Sequence, residues 1–279
     1  MKTFIFPASG PAFINNNIDD TLEFSDSENT WLIGSSTGAL RALTIFYNNS
    51  TKVIEEQYCN MIYYPWSTPY SLTNMLKNNI SAVYQNKNKI LIDIPSKKIP
   101  AIIVTHNPNK YIPIFIIIII ALIGYLLGYK YIIYKFLEMH IYIPEWADIN
   151  KFPLEFDNNI KYKFKILNSS NIDNILYSTI RIPLISTSNS KNCDGGFMFY
   201  YFNGKVKKDF NVTDGVHQQD ITVTLFSDTN KPTRSIFDSR SINYYNINIY
   251  YFNSKNSILD WFNPYYILYP QKRIQKWLK

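Results

Sequence analysis

The amino-acid sequence predicts one α/β domain, and three observations predict it. Short apolar runs of strand length alternate with stretches whose apolar residues recur at three- and four-residue steps. A small-residue turn, Gly34-Ser35-Ser36-Thr37-Gly38, joins one such run directly to one such stretch. At 279 residues the chain is long enough for one large α/β domain or two small ones, and we read it as one, over residues 1–279.

Thr3 to Phe6 reads as a buried first strand, ended by the turn formers Pro7, Ser9, Gly10 and Pro11. The same opening resembles the start of a signal peptide. Its apolar part stops at Pro7, short of the ~7–15 residues such a segment needs, so we read a strand. A polar stretch from Asn15 to Asn29 is assigned a short helix, and Trp31-Leu32-Ile33 a second buried strand. After Gly38, the residues Ala39, Leu40, Leu43, Phe46 and Tyr47 fall on one helix face. Lys89 to Ile94 and Ala101 to Val104 are strand-like, and residues 171 to 177 are helical. From Phe197 the pattern turns mostly β, with a hairpin signal at Asn203-Gly204 and a strand at Ile221 to Phe226.

Residues 112–129 carry no charge and are rich in isoleucine. By length this run is a candidate membrane span at the short edge of the ~17–25 range. Lys110, Lys130 and Lys135 flank it as interfacial anchors would. We expect an apolar helix over about 112–137, either buried, forming a lid, or lying in a membrane interface, with Pro113 in its first turn.

A composition 46% hydrophobic and 18% charged belongs to a globular chain. The net charge of +7 is spread along the sequence without the motif of a nucleic-acid fold, which argues against a nucleic-acid partner. A weak attraction to a membrane surface remains compatible with it. Two cysteines, Cys59 and Cys193, are too few for a disulfide scaffold or a metal cluster, and we read them as free thiols. No metal-binding spacing occurs, so neither metal nor cofactor is assigned. His106 and His140 are read as ordinary surface or core residues, and His217 as a residue that could line a cleft. The sequence does not indicate an oligomeric state.

The segment that carries chemistry is Trp31 to Ala42. It contains G-x-S-x-G with Ser36 at its centre, a strand before it and a helix after it. A serine on such a strained turn needs small flanks, which Gly34 and Gly38 provide. The turn aims a helix N-terminus at the serine, where its dipole and N–H groups favour a developing oxyanion. The N–H of Thr37 is the natural first donor. Ser35 is off the central position and is the lesser candidate nucleophile.

An α/β-hydrolase would use the order Ser, Asp, His, which Ser36, Asp194 and His217 satisfy on paper. That fold places several strands before the nucleophile, and only two precede Ser36. An elbow after the second strand resembles the patatin-like family of serine lipid acyl hydrolases instead. Leu32 to Ala42 is similar to that family's nucleophile block. Phe4 to Gly10 lies where it carries a glycine-rich oxyanion loop. Ile175-Leu176-Tyr177-Ser178-Thr179-Ile180-Arg181-Ile182-Pro183 looks like the segment before its D-G-G or D-G-A block.

The resemblance implies a three-layer fold around a central, mainly parallel sheet, and a Ser-Asp dyad acting on lipid or phospholipid esters through an acyl-enzyme. It implies a cytoplasmic or peripherally membrane-associated protein. Two positions can supply the aspartate. Asp194-Gly195-Gly196 matches the letters but follows a polar loop, Ser188 to Cys193. Asp214-Gly215-Val216 departs at its third residue but follows a strand-like Asp209 to Thr213. On context we prefer Asp214, with Gly215 as its small neighbour and Asp194 as the alternative. Ser9, Gly10 and Thr37 are the expected oxyanion-hole residues.

The sequence also departs from the family, because Pro11 stands in the oxyanion loop and has no N–H to donate. This motivates a second reading, an inactive membrane-associated protein of the same fold. A third is a single-pass membrane protein, motivated by the apolar run.

Overall fold

The computed structural model describes residues 2–6, 29–48, 80, 83–84, 86–127, 132–156, 158–183, 190–199, 205–206, 221–227 and 249–253. Ten strands are found among them. They are β1 (Lys2–Phe6), β2 (Thr30–Ser35), β3 (Lys98–His106), β4 (Glu138–Pro144), β5 (Leu154–Glu155), β6 (Tyr162–Leu167), β7 (Asn192–Cys193), β8 (Lys205–Val206), β9 (Ile221–Ser227) and β10 (Ile249–Asn253). The α-helices are α1 (Thr37–Phe46), α2 (Ile114–Leu126), α3 (Ile133–Phe136), α4 (Ile172–Thr179) and α5 (Gly196–Phe199).

Eight strands form one mixed sheet in the order β10-β9-β1-β2-β3-β4-β6, with β7 paired to β3 off this path. The run from β10 to β3 is parallel throughout. β4 reverses direction against β3, and β6 is parallel to β4. β5 and β8 pair separately as a two-stranded ribbon. An α/β architecture with a mostly parallel sheet is therefore present.

Why the centre of the sheet is buried on both sides follows from its side chains. β2 is buried along its whole length, and β3 at every residue from Ile99 to Thr105. Such strands have two apolar faces, as a central strand covered by helices on both sides must. One face, with Leu32, Ile102 and Val104, packs on α1 and on Ile172, Ile175 and Leu176 of α4. The other, with Trp31, Ile33, Ala101 and Ile103, packs on α2, α3 and the segment through Phe152. Trp31 meets Phe152 edge-on, with ring centroids 5.3 Å apart.

Several expectations are corrected. Residues 86–93 form a 3-10 helix, not a strand. Within that helix Ile92 is fully buried while Ile90 and Leu91 are exposed, so a helical turn suffices to hide the one side chain that needs hiding. The helix expected over 112–137 is two shorter ones, α2 and α3. A Cβ on Gly124 would lie 2.7 Å from Ile132, so the chain returns tightly against α2 there. No helix among the described residues is long and apolar enough to cross a membrane. The 13 residues of α2 reach only ~20 Å. The helix Gly196–Phe199 takes in the start of the stretch expected to be mostly β from Phe197. Strands β4 and β6 were not anticipated. The Asn15–Asn29 helix and the Asn203-Gly204 hairpin lie outside the described residues, apart from Asn29 itself, as does Cys59. Cys193 is a free, buried thiol.

Candidate active site

Ser35 is paired with Ile103, and the chain then leaves β2 at Ser36 to enter α1. Ser36 has φ 54° and ψ −134°, a left-handed backbone conformation that a residue with a side chain adopts only under strain. The turn is tight because strand and helix nearly touch. A Cβ on Gly34 would sit 2.6 Å from both the Cα of Ala39 and the carbonyl oxygen of Gly38. Gly34 and Gly38 thus flank the turn, and Thr37 opens the helix directly after the serine.

β3 continues past Ile103 to His106, and β2 no longer covers that edge. β7 takes it over, with Cys193 opposite Thr105 and Asn192 opposite His106. β4 occupies the other edge of the same residues. This two-residue strand delivers Asp194 to the point where β2 turns away. Ser36 Oγ donates to Asp194 Oδ2 at 2.6 Å across a sequence separation of 158. The backbone N–H of Gly196 donates to Asp194 Oδ1 at 2.7 Å, so each carboxylate oxygen has a donor.

The loop is fixed from several directions. The Asp194 N–H donates to the Arg181 carbonyl at 2.8 Å, and the Gly195 N–H to the Thr179 carbonyl at 3.1 Å. The Arg181 guanidinium donates to the Ser190 carbonyl at 2.7 Å. Gly195 lies against β3 so closely that a Cβ would be 2.0 Å from the Ile103 oxygen. Thr179 ties the two halves together. Its hydroxyl donates to the Ile103 carbonyl at 2.6 Å and accepts from the Ser36 N–H at 2.9 Å. At the start of β7, His106 Nδ1 lies 2.7 Å from Asn192 Oδ1, and the His106 ring stacks on His140 at 4.2 Å.

Ser36, Thr37 and Asp194 each expose only 7% of their surface. Excluding water penalises the charged carboxylate. Burial therefore pushes the Asp194 pKa up to about 7, against the opposing pull of the hydrogen bonds from Ser36 and Gly196. Burial likewise drives the Cys193 thiol upward, which keeps it neutral. His140 is lowered to about 4, first by burial and then by the charges of His106 and Lys165.

Of the two aspartates, Asp194, the alternative, is hydrogen-bonded to Ser36. The polar run before Asp194 is not all loop, because Asn192 and Cys193 are paired with β3. Asp214 and Gly215 lie outside the described residues, as do Ser9, Gly10, Pro11 and His217. Thr179 was not singled out as a site residue, although the segment ending Ser178-Thr179-Ile180-Arg181-Ile182-Pro183 held the signal. Among the described residues no group of three or more His, Cys, Asp or Glu could hold a metal ion. Comparison with protein-family models, with curated proteins and with solved structures finds no match for this chain.

Proposed function

We propose that this chain is a serine acyl hydrolase of patatin-like type, acting on lipid or phospholipid esters, with Ser36 as nucleophile and Asp194 as its base. The observation that carries the reading is the 2.6 Å hydrogen bond from Ser36 to Asp194, made by a serine held at φ 54° at a helix N-terminus. A serine strained in this way, paired with a carboxylate and packed at the end of a parallel strand, has the parts of an activated nucleophile.

An ordinary carboxylate, with a reference pKa of ~3.9, is too weak a base for a serine hydroxyl. Burial of Asp194 raises its proton affinity and brings its pKa to about 7. In the proposed reaction the ionised carboxylate takes the Oγ proton as the oxygen bonds to the ester carbonyl carbon. The tetrahedral intermediate carries its negative charge on the former carbonyl oxygen. In this reading the N-terminus of α1, which Thr37 opens directly after the serine, would stabilise that charge through its dipole. Collapse breaks the bond to the alcohol, which leaves with the proton from Asp194. Water then adds to the acyl-enzyme, giving its proton to Asp194. Release of the acid returns a proton to Ser36.

The second reading, an inactive protein of the same fold, is motivated by Pro11 in the loop expected to supply the other oxyanion donors. Losing one such donor raises a barrier by ~2.7–4 kcal/mol. Ester turnover separates the two. Hydrolysis of a short-chain ester that is abolished by Ser36→Ala and by Asp194→Asn supports the hydrolase. Loss in the serine variant with Asp194→Asn fully active would remove the aspartate from the reaction.

A further inference from the structure

We propose that the outward face of α2 is a lipid-docking surface that seats the protein on an anionic membrane. This inference stands on α2 and its surroundings and not on the hydrolase reading. The inner side of the helix, with Ile114, Ile117, Ile118 and Ala121, packs on the sheet. Its outer side leaves Phe115, Ile116, Ile119 and Ile123 exposed, and Leu127 beyond its end is 69% exposed. Phe115, Ile119, Ile123 and Leu127 are four apart, so they form one continuous ridge. Large apolar side chains exposed singly are ordinary, whereas a contiguous ridge of them marks a surface that something covers.

The chemistry of that ridge selects the occupant. These five side chains carry no hydrogen-bonding group. A protein partner normally contributes about one hydrogen bond per 100–200 Å² of interface, while acyl chains require none. Tyr111, 92% exposed, lies just before the helix, where an aromatic with a polar tip suits the lipid–water boundary. Residues 94–137 contain no acidic side chain, and Lys110 and Lys135 are exposed on either side of α2. Charge of one sign within the segment that carries the apolar ridge matches anionic headgroups around acyl chains. At ~20 Å, α2 is too short to cross a ~30 Å hydrocarbon layer, and its inner face is already occupied. It would lie along the interface.

The test uses the full chain carrying Ser36→Ala, so that any ester turnover is absent and binding alone is read. Flotation with phosphatidylcholine vesicles, with and without phosphatidylserine, measures the bound fraction. We expect binding to the anionic vesicles that weakens with salt. Adding Ile119→Glu and Ile123→Glu should weaken it at least about tenfold, since each removes an apolar side chain from the lipid contact and brings a charge. Ile90→Glu, at an exposed isoleucine on the 3-10 helix, should leave it unchanged. Amide hydrogen exchange of the Ser36→Ala protein, with no further change, gives a second readout, with vesicle-dependent protection over 111–127. Absence of binding, equal binding by the glutamate variant, or protection confined to other segments would overturn the proposal. So would a concentration-dependent dimer that the glutamate changes dissociate, because a second copy would then be what covers the ridge.

Discussion

Gly195 packs against the backbone carbonyl of Ile103 with no room for a methyl group, since a Cβ would lie 2.0 Å from that oxygen. The nearest atoms are backbone of a central strand, which cannot swing aside as a side-chain tip would. Gly195→Ala must therefore displace either β3 or the loop holding Asp194. We expect destabilisation beyond ~3 kcal/mol by chemical denaturation, or failure to fold. A stable Gly195→Ala protein with unchanged ester turnover would contradict this packing.

Thr179 makes a different prediction, because its hydroxyl serves two partners at once. Thr179→Val keeps the shape but leaves the Ser36 N–H without its acceptor, at a cost of ~1–3 kcal/mol. The elbow then loses one of its restraints, and turnover should fall at least about tenfold. Thr179→Ser restores the hydroxyl and should recover most of both losses. Equal activity in Thr179→Val and wild type would show that the bridge does not position Ser36.

The proposed base sets the pH dependence. Asp194 must be ionised to accept the serine proton, and burial holds its pKa at about 7. Turnover per KM should rise about tenfold per pH unit below 7 and level off above it. A rate already level by pH 5 would mean that the working base titrates at an ordinary carboxylate value.

Stability should carry two opposing pH effects. Asp194 has a folded pKa raised above its unfolded value, so its contribution is present at low pH and is lost as pH rises from about 4 through about 7. His140 has a folded pKa lowered to about 4, so its contribution is present above about 6.5 and is lost as pH falls through about 4. The two act in the same window with opposite sign. Asp194→Asn removes the first, so its thermal midpoint relative to wild type should climb between pH 4 and pH 8. His140→Gln removes the second, so its relative midpoint should fall over the same interval. Parallel curves for wild type and both variants would contradict these environments.

What could be read in the sequence was local. Gly34, Ser36 and Gly38 lie within five residues, and the apolar run before them and the helical spacing after them fix their setting without reference to the rest of the chain. The same holds for β3 and α4. What could not be read depends on distant pairing. β7 is two residues long and looks like a polar loop, and becomes strand only because β2 leaves the edge of β3 bare beyond Ile103. That pairing decides where Asp194 lies. β6 is hard to read as a strand because, at the edge of the sheet among the described residues, it leaves Tyr162 and Ile166 exposed and carries two lysines, Lys163 and Lys165. Lys89 to Ile94 has an apolar content that suits a strand, yet it pairs with no strand among the described residues.

The most direct measurement of the central claim is intact-mass analysis after incubation with a fluorophosphonate, followed by peptide mapping of the adduct. Phosphonylation replaces the fluoride with the serine oxygen and needs a nucleophile activated by a base. One adduct on Ser36, absent in Ser36→Ala and formed at least about a hundredfold more slowly in Asp194→Asn, is the expected result. A folded protein that gains no adduct, or that gains one on another serine, would contradict the account.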